Sequence, residues 1–233
     1  SSVEVRDAEV SGATAAGVGF RVELADGTTE QTERILLATG MRYDYPAIPG
    51  LDQLWGRSVF ACPFCHGWEV RDQPLAVLAQ GERAVHMATL LSGWSDDVML
   101  LTGGPAELTP QDRQRLDRAG IPVDERRVTE LDSADGELRA VVFDDGSRCP
   151  RRGLLVAAQL RQRSAVTAQL GVELAATGPA SPEAVAVDPM FRTSVPGVFA
   201  AGDVCTQMPQ VASAIATGSA AAVSVMASIM EQR

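Results

Sequence analysis

Two cysteines separated by two residues, Cys62 and Cys65 in the run VFACPFCHGWEV, are the residues of this chain best suited to chemistry. On the first turn of a helix such thiols come within disulfide reach, so the pair can open and close. The unpaired N–H groups and partial positive charge of a helix N-terminus favour a thiolate on the first cysteine, which makes Cys62 the expected attacking thiol. Pro63 suits the first helical position, where no backbone donor is needed. His66, beside the second thiol, can take or give a proton near neutral pH, as the conversion of a dithiol to a disulfide requires. Half of a zinc site and a static structural disulfide are the alternative readings of C-x-x-C. Zinc would need further ligands at the right spacing, and Cys149, Cys205 and His86 each stand alone. No metal is expected, and the pair reads as redox-active.

The elements around the pair suggest what it works with. Residues 73–78 form an apolar strand, followed by the turn Ala79, Gln80, Gly81, Glu82, Arg83, Ala84 and a helix reaching Ser92. A further strand over 97–101 ends in Thr102, Gly103, Gly104 and Pro105, completing a β-α-β unit of the kind that carries a dinucleotide across its strand ends. Upstream, residues 1–40 read as hairpin material. Strand-like VEVRDAEV is followed by a Gly and Ala loop, by alternating Phe20, Val22 and Leu24, and by a turn at Asp26 and Gly27. The short strand 34–37 runs into Ala38, Thr39 and Gly40, small residues that let a strand end approach a ligand closely. RYDYPAIPG after it reads as a linker. Beyond the pair come a polar helix over 109–119, a strand over 121–123, a meander turned at Asp145 and Gly146, and a strand over 153–158. A Pro and Gly cluster at 178–182 reads as a second crossing between domains. Near the C-terminus, the strand 198–201 ends at Gly202 and Asp203, and Pro209 opens a long helix rich in Ala, Ser and Gly. A carboxylate just past a strand end can accept hydrogen bonds from a cofactor's hydroxyls.

The chain has 233 residues, room for one large or two modest domains, and 45% of them are hydrophobic, enough for real cores. A net charge of −10 argues against nucleic acid or an anionic membrane as partner. A small molecule or another protein is expected instead. No unbroken apolar run is long enough to span a bilayer, and no charged-then-apolar leader opens the chain. Four cysteines in a chain of this size do not make a secreted disulfide scaffold, so a cytoplasmic protein is expected.

Four landmarks in order resemble the thioredoxin reductase family of FAD-dependent enzymes: ILLATG at 35–40, CPFCH at 62–66, the β-α-β unit at 75–101 and TSVPGVFAAGD at 193–203. The likeness runs over nearly the whole chain. It implies an α/β, two-domain Rossmann-like fold, with an FAD domain built from residues 1–53 and 162–233 and an inserted pyridine-nucleotide-type domain at 54–161 carrying the cysteine pair. It implies FAD as cofactor, with Thr39, Gly40 and Gly202 at the strand ends, Asp203 on the ribityl chain, and the backbone of Gln210 and Val211 beside the flavin ring. By the same likeness Cys65 faces the flavin, Cys62 exchanges with substrate, and the protein is a homodimer. Family members begin with a β-α-β unit bearing G-x-G-x-x-G for the ADP half of FAD. No such motif occurs here, so the FAD domain is expected to be incomplete at its N-terminus.

Three departures from the family pattern refine the expectation. Members that use NADPH have a glycine-rich turn where Ala79 and Gln80 stand, and these side chains would obstruct the approach to a pyrophosphate while Glu82 repels it. The arginines that clamp a 2′-phosphate are replaced by Thr102, Gly103 and Gly104. His66 stands where the reductases usually carry Asp. C-P-x-C-H-G, with WEVRDQPLAVL after it, resembles the dithiol oxidases of gliotoxin and holomycin biosynthesis. That resemblance implies oxidation of a small-molecule or peptide dithiol with dioxygen as acceptor and argues against NADPH. The rival readings are a thioredoxin reductase, acting on a thioredoxin-like protein with NADPH or another reductant, and a non-catalytic fragment that has lost FAD. Glu69 could orient His66, and Trp68 could wall the substrate. Trp55, Trp94 and His86 are expected to be structural, and Cys149 and Cys205 to be small buried apolar residues.

Overall fold

Apolar patterning divides the chain into two compact units, and the division is discontinuous in sequence: Ser1–Asp44 with Gln159–Arg233 form one, Tyr45–Ala158 the other. The computed structural model describes residues 3–178 and 180–231, apart from the side chain of Glu82. The repulsion expected of Glu82 therefore lies outside the described residues.

The first unit opens with an antiparallel meander of β1 (Val10–Ala16), β2 (Gly19–Leu24) and β3 (Thr29–Thr32). The run 11–16, part of the expected loop, is the body of β1. Its alanines sit in register with β2, Ala13 opposite Val22 and Ala15 opposite Phe20, and the reversal waits until Gly17 at φ 62°. Small residues read as flexible in isolation, but here they let the meander lie close to its neighbours. Residues 3–9, expected to be strand, are irregular. β4 (Ile35–Leu37) and β5 (Met41–Asp44) follow, the latter where a linker was expected.

The second unit contains α1 (Leu51–Leu54), β6 (Val59–Phe60), α2 (Pro63–His66), β7 (Leu75–Leu78), α3 (Gly81–Leu91), β8 (Val98–Leu101), α4 (Pro110–Arg118), β9 (Val123–Asp124), β10 (Val128–Ala134), β11 (Glu137–Phe143), β12 (Arg148–Pro150) and β13 (Gly153–Val156). Five strands make a parallel sheet in the order β6-β13-β7-β8-β9. LAVL in β7 and GLLV in β13 are buried at every position, as strands covered on both faces must be. Leu75 and Val77 pack against Val85, Ala88 and Leu91 of α3. Ala76 and Leu78 face the opposite way, onto Leu131, Leu138 and Phe143 of the antiparallel meander β10–β12. Leu155 is fully buried on the α3 side. Leu155→Ala is expected to cost about 2–5 kcal/mol, read as a lower urea midpoint at unchanged slope; a shift below about 1 kcal/mol would mean the site collapses around the gap.

The crossings fall at 44/45 and 158/159, earlier than the expected 53/54 and 161/162. Local packing decides both. Tyr45 stacks on Trp55 at 4.2 Å, the Leu131 N–H donates to Pro49 O at 2.8 Å, and Gly50, at φ 86°, lies where a Cβ would stand 2.3 Å from the Leu131 carbonyl oxygen. Residues 45–53 are thereby tied to the second unit. β14 (Gln159–Gln162) pairs antiparallel with β5, drawing both into the first. The cluster 178–182 lies within the first unit and is no crossing; Leu160 N–H donates to Ala180 O there, and Pro179 lies outside the described residues.

The first unit is completed by α5 (Val166–Gln169), by β15 (Val198–Ala200), which runs parallel to β4 with Ala200 beside Leu37, by a 3-10 turn at Gly202–Cys205, and by α6 (Val211–Met230). Phe20, Leu37, Leu160, Val166, Val198 and Val204 share its core. α6 is 20 residues long without one charge and has a mean hydropathy of 1.5, long and apolar enough to cross a membrane by length and composition. Scattered Ser, Thr and Gly hide this from a search for an unbroken apolar run. The helix buries Ala221 and Ser224, and its Thr217 hydroxyl accepts the Gly202 N–H at 3.0 Å.

Candidate functional site

Cys62 caps α2 in an extended conformation, and the Cys65 N–H closes the turn on the Cys62 carbonyl at 3.2 Å. The helix is a single turn, so the dipole expected to favour a Cys62 thiolate is that of one turn only. Both thiols are free and hydrogen-bonded to each other. Cys65 is exposed as a residue, yet its sulfur is covered enough that burial is the first cause pushing its thiol up to about 11; the hydrogen bond it donates to Cys62 and that group's charge add to it. His66 stacks on Phe60 at 5.8 Å, and its Nδ1 is buried without a hydrogen-bond partner among the described residues. Glu69 therefore does not orient His66 through that atom.

The turn is braced by a residue that sequence reasoning treated as ordinary packing. Phe64 stands edge-on to Trp94 at 5.2 Å, and the Asp72 N–H, at a residue with φ 59°, donates to the Trp94 carbonyl at 2.9 Å. A Cβ on Gly67 would come within 2.8 Å of the Trp94 ring and 2.5 Å of the Pro63 carbonyl oxygen. Gly67, directly after CPFCH, was the available signal for such a close approach. Trp55 packs as expected, whereas Trp68 is 67% exposed, with the Arg71 guanidinium 3.8 Å from its ring centroid. A cavity of about 870 Å³ adjoins Cys65 and His66, lined across from them by Arg57, Arg152 and the turn at Asp135 and Gly136.

In the first unit, the parallel pairing of β4 with β15 carries Thr39 and Gly40 to the same edge as Gly202 and Asp203. Gly40 and Gly202 adopt φ 65° and 77°, conformations glycine takes without strain. The half-buried Asp203 carboxylate has no hydrogen-bond partner among the described residues, which leaves it free to accept from hydroxyls. Gln210 caps α6 without a side-chain hydrogen bond, so the first N–H groups from Val211 onward point outward unpaired. This donor and acceptor set fits the ribityl chain and ring edge of FAD, the carboxylate taking hydroxyls and the helix N-terminus facing the electron-rich edge. The adenylate end has no G-x-G-x-x-G to hold it in these 233 residues. Cys205, behind Asp203, is pushed up to about 11 by burial and then by the Asp203 charge.

At the strand ends of the second unit, the Gln80 amide does not cap α3 but donates to the Thr102 carbonyl at 2.8 Å, bridging the ends of β7 and β8. The Thr102 hydroxyl turns back onto the Gly104 carbonyl at 2.5 Å. Arg83 is half-buried, with one guanidinium nitrogen on the Ala158 carbonyl at 3.0 Å, and desolvation lowers its pKa. The space left beside these strand ends is about 430 Å³. His86 is exposed on α3, and the Cys149 sulfur lies 3.8 Å from that of Met99.

Comparison with known proteins bears on these features together. The model of the pyridine nucleotide-disulphide oxidoreductase family matches residues 3–218, and proteins of this family are FAD-binding flavoproteins. The thioredoxin reductase aclD of Aspergillus oryzae is 31% identical over 217 residues, covering 90% of this chain and 68% of that protein. Among solved structures, TrxB of Bacillus anthracis superposes with a TM-score of 0.89 at 32% identity, covering 98% of this chain and 75% of that one. HlmI gives 0.87 at 38% identity, with 96% and 70% covered. The chain spans about two thirds of the length of the thioredoxin reductases it matches in sequence. The chain therefore belongs to the pyridine nucleotide-disulphide oxidoreductase family as a thioredoxin reductase-like member.

Proposed function

We propose that the protein is an FAD-dependent thiol-disulfide oxidoreductase that oxidises a dithiol substrate to a disulfide. What supports this is one combination within the second unit: an accessible C-x-x-C turn with His66 beside it, together with strand ends bridged by Gln80 where a pyrophosphate would need open backbone. Cys62 and Cys65, as a disulfide, accept two electrons from the substrate; one substrate thiolate attacks, the second closes the substrate disulfide, and the enzyme pair is left as two thiols. His66 takes the proton released from the attacking substrate thiol. FAD, when bound, supplies a two-electron acceptor whose reduced form reacts with dioxygen. The balance is one dithiol plus one dioxygen to one disulfide plus one hydrogen peroxide.

No nicotinamide is needed in this scheme, which gives the bridged strand ends and the Thr-Gly-Gly run at 102–104 a single explanation. The substrate class fits the gliotoxin and holomycin type of dithiol oxidase. Full-length protein carrying FAD, mixed with a dithiol in air, is expected to release peroxide in equal amount to the dithiol consumed. Turnover on NADPH without peroxide, or anaerobic bleaching of the flavin by NADPH, would instead mark a thioredoxin reductase. A colourless full-length protein would mark a non-catalytic one.

A further inference from the structure

Two arginines share the cavity beside Cys65 and are not consumed by the fold. Arg57 and Arg152 have no carboxylate or other hydrogen-bond partner for their side chains among the described residues, although the third arginine in that cavity, Arg139, lies 3.4 Å from Glu137 and 3.8 Å from Asp135. Their backbones are held firmly. Arg57 N–H donates to the Leu54 carbonyl at 3.1 Å, Arg152 N–H to the Pro74 carbonyl at 2.7 Å, and Leu154 N–H to the Ser58 carbonyl at 2.8 Å, so the segments bearing the two guanidinium groups are cross-linked to each other through β13 and β6. The buried Ser58 hydroxyl accepts the Leu138 N–H at 3.0 Å, which pins the β10–β11 turn over the same space. Arg57 lies across that turn, its Nη1 3.0 Å from where a Cβ on Gly136 would stand.

The cavity lining carries three arginines and three carboxylates and is formally neutral; Arg139 faces both Asp135 and Glu137, while Arg57, Arg152 and Glu69 form no ion pair among the described residues. The chain has no lysine, so its permanent side-chain cations are all arginines, whose planar fork matches a carboxylate. His66, whose buried Nδ1 lacks a partner among the described residues, lines the cavity too, with Ser58 and Gln73. About 870 Å³ is the size of a site for a small molecule.

Resting on the thiol-exchange reading above, we infer that the species exchanging with the Cys62 and Cys65 pair is a small molecule bearing a carboxylate, which Arg57 and Arg152 hold in the cavity lined by Cys65. The inference is tested on the reduced full chain with two optical disulfide probes, 5,5′-dithiobis(2-nitrobenzoate), which carries two carboxylates, and neutral 4,4′-dithiodipyridine. In either reaction the enzyme pair is oxidised to a disulfide while one probe disulfide is reduced to two aryl thiols. The fast phase belonging to the pair is the one that Cys62→Ser removes. The ratio of anionic to neutral rate constants is expected to fall at least tenfold in the Arg57→Gln/Arg152→Gln variant. Changes in thiol acidity or folding enter both rates and cancel in the ratio.

Salt provides a second measurement on the unmodified chain. Capture by the arginines makes the ratio fall as salt rises, whereas repulsion by the overall negative charge makes it rise. A ratio unchanged in the variant, or one that climbs with salt, overturns the anion site and leaves the thiol-exchange reading standing. Absence of a fast phase with both probes defeats that reading itself.

Discussion

Cys65→Ser is expected to leave a chain that attacks a disulfide once and then stalls as a stable mixed disulfide on Cys62, while Cys62→Ala loses more than 100-fold in exchange rate. The order follows from the pair's geometry. With its thiol raised to about 11, Cys65 is a thiolate in only about one molecule in 10⁴ at neutral pH. Two of the three causes of that rise, the hydrogen bond and the charge, come from Cys62. Once Cys62 is bonded to substrate both causes vanish and only burial remains, so the Cys65 thiol falls and becomes able to resolve the intermediate. The sign is specific. In Cys62→Ala the Cys65 thiol titrates lower than in the parent, and iodoacetamide alkylates it faster at pH 8. Mass spectrometry of Cys65→Ser after one turnover detects the trapped adduct. A fast exchange phase surviving in Cys62→Ala would reverse the assignment of the two sulfurs.

The second large effect is expected from a single methyl group. Gly67→Ala places a Cβ 2.5 Å from the Pro63 carbonyl oxygen, a backbone atom that can retreat only by opening α2, and 2.8 Å from the Trp94 ring. Gly67 has φ −65° and ψ −29°, ordinary for any residue, so the penalty is steric and not conformational. Overpacking of this kind costs about 1–3 kcal/mol. Because the displaced oxygen belongs to the turn that sets the spacing of Cys62 and Cys65, the exchange rate is expected to fall at least tenfold even where the chain remains folded. Urea unfolding and the fast thiol phase measure the two effects separately. Trp94→Leu in the Gly67→Ala background removes the ring contact but not the carbonyl contact, and it is expected to recover stability in part and exchange hardly at all. Parent-like exchange in Gly67→Ala would show that the redox turn tolerates a different closure.

The parts of this protein that could be read from its residues are those governed by local chemistry. C-P-F-C-H announced a redox turn because spacing, proline and histidine all act within one helical turn. LAVL and GLLV announced buried strands because unbroken apolar runs of that length must be covered on both sides. Gly202 and Asp203 stand at the end of an apolar strand, as expected, and the ordered landmarks pointed to the family.

What could not be read depended on partners distant in sequence. Residues 11–16 became a strand because β2, with Val22 and Phe20, pairs with them, and residues 41–44 because Gln159 to Gln162 do. The boundary at Tyr45 was decided by its stack on Trp55 and by Leu131 reaching back to Pro49. Trp94 as the brace of the redox turn, Gln80 as the bridge between two strand ends and Arg57 beside Arg152 arise from elements up to about a hundred residues apart. By itself, then, the sequence determined the reactive groups and the strands that must be buried, since those follow from side-chain chemistry and short-range periodicity. Only the tertiary structure decided which cations stay unpaired and which carbonyls are already occupied, because pairing is settled when distant backbone segments are brought within hydrogen-bond reach.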